Sequence, residues 1–135
     1  MSTSRSSDED ASALARAEAH DRAGREREAI AAYREALSGD LNDCQYASAL
    51  HGLGSTYRAI GAYEDAEATL RDGMQRFPND PTFAPFLAMT LYNKGHGREA
   101  VSLLLELLLD TTNDERLLAF ERAIRTYARD LDRTW

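Results

Sequence analysis

The sequence predicts an all-α fold of stacked antiparallel helix pairs, and three observations predict it. A hexapeptide of glycine, three residues, an acidic residue and alanine occurs at Gly24–Ala29, Gly61–Ala66 and Gly95–Ala100, its glycines 37 and then 34 residues apart. Ala, Leu, Glu and Arg abound, while only three prolines occur, all between positions 78 and 85. No run alternates β-branched residues as a strand would.

Seven helices follow, near 8–22, 26–38, 45–59, 63–76, 82–94, 98–110 and 114–133. Ser7 or Asp8 caps the first, which carries Arg16, Ala17 and His20 in a degenerate first copy of the repeat. Gly24 follows it and takes the left-handed conformation that a β-carbon would penalise. Acidic residues then open the second helix, where they complement its dipole, and Ala29, Tyr33 and Ala36 form its inner face. Three extra residues around Asn42 to Cys44 separate copies one and two. In the third helix Leu50, Leu53, Gly54 and Tyr57 share a face; Ala66 and Leu70 follow on the fourth, and Pro78 closes the unit. Thr82 as cap of the fifth helix puts Pro85 in the first turn, where its missing N–H costs nothing. That helix keeps Leu87, Ala88 and Leu91, and the sixth keeps Ala100, Leu104 and Leu107. The seventh places Leu117, Phe120, Ile124, Tyr127, Ala128 and Leu131 on one face, interrupted by Glu121, and is expected to cover the apolar end of the stack.

The middle copy, with Leu50, Leu53, Gly54, Tyr57, Ala66, Leu70 and Pro78, resembles the signature of tetratricopeptide-repeat proteins, with Leu50 replacing its tryptophan and Leu70 its aromatic residue. The resemblance covers roughly residues 10–114 and is greatest to short stand-alone bacterial members. It implies a right-handed superhelix of three helix-turn-helix repeats (about 10–43, 47–80 and 81–114) plus a C-terminal capping helix. The expected organisation is a flexible N-terminus, 1–7, and a single domain, 8–135.

Composition narrows the function. A formal charge of −7 and a pI near 4.9 repel nucleic acid. Val101 to Leu109, the most apolar run, is far too short to span a membrane. Cys44 is the only cysteine and no apolar secretory leader precedes the domain, so a cytoplasmic location is expected. Fifteen of the sixteen basic residues are arginine, a bias that points to a GC-rich bacterial genome.

Catalytic chemistry finds no support. Gly52–Leu53–Gly54–Ser55 lacks the preceding strand and the third glycine or lysine of a phosphate loop, and reads as close helix packing. His20, His51 and His96 are too far apart for a helical metal pair, and the acidic clusters lack the alternation of a calcium loop. Neither metal nor cofactor is expected.

The resemblance implies a concave groove lined by the first helix of each repeat. Its frame places Leu14, Glu18, Asp21 and Arg22 there from copy one, His51, Ser55 and Arg58 from copy two, and Phe86, Met89, Tyr92 and Asn93 from copy three. Those side chains suit a peptide or helix of a protein partner. The basic clamp with which some members hold a terminal carboxylate is missing, since Leu14, Glu18, Gly52, Thr82 and Phe86 stand at its positions. A second function class is structural self-association as a homodimer, through a convex leucine stripe of Leu103, Leu105 and Leu109.

Overall fold

The computed structural model describes residues 7–135, the side chain of Ser7 excepted. Among them are eight α-helices and no strand: α1 (Ser7–Arg22), α2 (Glu26–Leu37), α3 (Asp43–Ala59), α4 (Tyr63–Arg76), α5 (Phe83–Asn93), α6 (Gly97–Thr111), α7 (Glu115–Leu118) and α8 (Glu121–Ala128). The expected flexible N-terminus lies outside the described residues except for Ser7, which already belongs to α1, as does Asp8.

The three repeat glycines end the first helix of each pair in the same way. Gly24, Gly61 and Gly95 have φ of 73°, 80° and 82°, the only positive values among the described residues. The following N–H groups of Arg25, Ala62 and His96 donate to the carbonyls of His20, Tyr57 and Leu91 at 2.9, 2.9 and 2.8 Å. This is the Schellman closure, which satisfies carbonyls that the helix end would otherwise leave open. Ala29, Ala66 and Ala100 are buried where the two helices of each pair meet. The extra residues between copies one and two lead into a capping box: the Asn42 side chain accepts from the Gln45 N–H, and the Gln45 side-chain oxygen accepts from the Asn42 N–H. Helix α3 therefore starts at Asp43, earlier than expected. Thr82 stands at the N-cap of α5 with Pro85 in the first turn, but its hydroxyl donates to Asp80 instead of capping the helix.

Consecutive helices pack from α1 to α6, and the first helices also touch one another, α1 on α3 and α3 on α5. No comparable contact joins the second helices among the described residues, which puts α1, α3 and α5 on the inner side of the stack. Two apolar clusters run through it. One joins Ala13, Leu14, Ala17, Ala29, Tyr33 and Leu53; the other joins Leu50, Leu70, Phe83, Leu87, Leu91 and Ala100. Glycines set the closest approaches: a β-carbon on Gly52 would lie 2.3 Å from Cζ of Tyr33, and one on Gly54 would lie 2.6 Å from Cδ2 of Leu70.

The C-terminal segment departs from expectation. It is a short turn of helix and a separate eight-residue helix, broken at Ala119 and Phe120, and helix ends at Ala128 instead of 133. Its ties to α6 are lateral and largely polar. Ser102 donates its hydroxyl to the Ala128 carbonyl, and Arg125 pairs with Glu106 and Asp110 of α6 as well as with Glu121 of α8. Ser102, Glu106 and Asp110 share one flank of α6, so α8 lies along that flank. Phe120, expected to pack inward, is 64% exposed.

Candidate functional site

The inner face carries a cavity of about 540 Å³. Helix α1 contributes Glu18 and Asp21, and α2 contributes Tyr33. Helix α3 contributes Cys44, Ala47, Ser48, His51, Gly52 and Ser55, while Asp80 and Thr82 close it from the α4–α5 connection. Glu18 and Asp21 are one turn apart on α1, and Ser48, His51, Gly52 and Ser55 follow the same spacing on α3. Helical periodicity therefore turns both sets into one space.

Three carboxylates and no lysine or arginine line this cavity. Asp21 accepts a hydrogen bond from the Tyr33 hydroxyl at 3.0 Å. Burial pushes the Tyr33 phenol well above its ordinary range and the Asp21 charge pushes it further, so the hydroxyl stays a neutral donor. Asp80 accepts from the backbone N–H and the hydroxyl of Thr82 at 2.9 and 2.6 Å, which fixes the rim. Glu18 has no ion-pair partner among the described residues. His51 places Nε2 3.2 Å from the Thr82 carbonyl; a carbonyl only accepts, so Nε2 carries the proton. Its ring also meets Phe86 edge-on at 4.5 Å and Phe83 at 5.8 Å.

The structure brings together Glu18, Asp21, His51 and Ser55 of the expected groove, with Phe86 behind His51. It corrects Leu14, which is buried in the first apolar cluster because α3 closes over it. Arg22 is exposed on the last turn of α1, outside the cavity. Arg58 donates Nε–H to the Asn93 side-chain oxygen at 2.9 Å, so this pair links α3 to α5 and lies outside the cavity. Met89 and Tyr92 are exposed beyond it, on α5. The expected leucine stripe shifts as well. Leu103 packs on the second cluster, Leu105 is half-buried and Leu109 is buried. The exposed row is Val101, Leu104 and Leu108, because α5 and α8 occupy two other sides of α6. Sequence reasoning missed Tyr33, Ser48 and Asp80 as lining residues. The available signal for Tyr33 was Gly52, whose missing side chain leaves room for the ring.

A family model described as tetratricopeptide repeat matches residues 10–131. The chain therefore belongs to the tetratricopeptide-repeat family, and with the helix pairs and their inner cavity this marks it as a protein–protein interaction module. The family is generally a scaffold without catalytic chemistry. Comparison with curated proteins gives no match. Among the described residues, no helix is long and apolar enough to cross a membrane.

Proposed function

We propose that the inner cavity receives a segment of another protein, extended or helical, that turns a lysine or arginine towards Glu18, Asp21 and Asp80. The observation that carries this reading is a concave cavity lined by three carboxylates and by no lysine or arginine. An incoming cation meets negative charge across a space partly walled by protein, where attraction exceeds that in open water. The Ser48 hydroxyl supplies a hydrogen bond to the segment's backbone, the Ser55 hydroxyl, which already donates to the Gly52 carbonyl, accepts one, and Ala47 with the His51–Phe86 edge supplies apolar contact. Cys44 at the rim, the only cysteine, suits a reducing compartment such as the cytoplasm. The protein acts by binding alone, with no reaction of its own.

Selection from a random peptide display library tests the reading. Bound sequences should be enriched in Arg and Lys at one fixed position, and Glu18→Lys should weaken a selected peptide by tenfold or more, about 1.4 kcal/mol. Enrichment of acidic peptides, or unchanged binding to Glu18→Lys, contradicts it.

A further inference from the structure

We infer that the peptide site continues past the acidic cavity into a second seat between α3 and the end of α4, and that the segment it receives carries an apolar side chain of leucine size a few residues from its lysine or arginine. This rests on the peptide reading above and extends it. A second hollow of about 470 Å³ adjoins the first, and Cys44, Ala47 and Asp80 line both. The two therefore form one trough that passes the first turns of α3. Beyond the junction its walls are Asp43, Arg76, Phe77, Pro78 and Asn79. A single turn builds the junction: the Asp80 N–H donates to the Phe77 carbonyl at 3.0 Å, with Pro78 at the position where a preset φ favours such a turn. The same turn thus gives a carboxylate to the first cavity and an apolar wall to the second.

The chemistry of the second seat decides what it takes. Arg76, fixed by its bond to Asp72 at 3.1 Å and by the Tyr46 ring 4.7 Å beneath it, repels a second cation. Asp43 and Asp80 repel a carboxylate. An uncharged side chain meets neither objection, and Ala47, Phe77 and Pro78 offer it apolar contact. That wall is preformed. Phe77 stacks on Phe83 with ring centroids 6.5 Å apart and meets Tyr46 at 6.4 Å, so little freedom is lost when a partner arrives. Geometry also sets the spacing. Glu18 and Asp21 line the first cavity alone, and that cavity follows α3 from Ser55 to Cys44, a rise of about 16 Å. An extended chain covers this length in about five residues. The basic residue facing α1 and the apolar one in the second seat therefore stand about three to five residues apart.

Fluorescence anisotropy with synthetic labelled peptides tests it on the full chain. Each peptide holds one arginine in a Gly–Ser chain, and the pair differs at one position about four residues on, leucine in one and serine in the other. The leucine peptide should bind about tenfold more tightly, and moving the leucine next to the arginine should remove the gain. Pro78→Asn, at an exposed turn position, should shrink the gap between the two peptides to about threefold, with circular dichroism as the folding control; the peptide comparison on the unaltered protein decides the matter should that variant fail to fold. Glu18→Lys should weaken both peptides alike. Equal binding of the leucine and serine peptides at every spacing overturns the inference while leaving the acidic cavity as the site. So does a larger gain from arginine or glutamate at the leucine position, or a gap that Pro78→Asn leaves unchanged. Should neither peptide bind at all, the cavity reading falls and the second seat with it.

Discussion

Gly52 shows how much one missing β-carbon decides. Its flat helix surface admits the Tyr33 ring, and Tyr33 in turn steadies Asp21 at the cavity wall. Gly52→Ala should therefore cost about 1–3 kcal/mol through overpacking and lower the melting temperature. It should also disturb binding in the cavity, which a calorimetric titration of a selected peptide would register. Phe120→Ala makes the contrast: its ring is mostly in solvent, so the loss should stay within about 0.5 kcal/mol in a denaturant melt. The glycines of the turns were legible in the sequence because left-handed backbone restricts residue choice directly. The fate of Phe120 was not, because helical spacing reports which residues share a face and leaves open what that face meets. Asp10 is a similar case. It begins α1 among acidic residues that suit a helix dipole, yet it is fully buried and its carboxylate accepts the Asp40 N–H at 2.6 Å, pinning the α2–α3 connection.

At the scale of elements, the first six helices were readable to within a few residues. Each is bounded by a glycine closure, a cap or a proline whose local chemistry does not depend on distant contacts. The C-terminal segment was not readable to that degree, because its position rests on tertiary ion pairs between residues 15 to 19 apart in sequence. Arg125→Met should release it. Hydrogen exchange in residues 121–128 should quicken while α3 to α5 stay protected, since local opening follows the loss of local ties. A second tie sits between α4 and α5. Hydrogen bonds from Lys94 and then Arg71 hold the Glu67 carboxyl below its usual range. A depressed carboxyl adds stability above the ordinary glutamate pKa of about 4.3. That contribution is lost as pH falls through the lower folded value. Thermal melts taken stepwise from neutral to strongly acidic pH should show the decline, and Glu67→Gln should flatten that part of it.

The whole molecule separates its charge by place. Carboxylates gather on the inner cavity, whereas the exposed row of α6 carries Val101, Leu104 and Leu108. The repeat frame made the existence of an inner groove legible, since it follows from which helix faces point inward. The groove's chemistry was only partly legible, because Tyr33, Asp80 and Thr82 of the cavity wall lie outside the first helices. The same frame explains why the leucine stripe was misplaced. It defines faces relative to a next repeat, and only the path of α8 shows that, among the described residues, that helix does not take the position.

The central claim is that the acidic cavity is where a protein segment binds. Its most direct test is a titration of ¹⁵N-labelled protein with an arginine-containing peptide, followed by amide shifts. The amides of Glu18, Ser48, His51, Gly52 and Ser55 should move together and saturably, and Glu18→Lys should abolish the movement. Shifts confined to α6 and α8, with the cavity amides still, would contradict the claim.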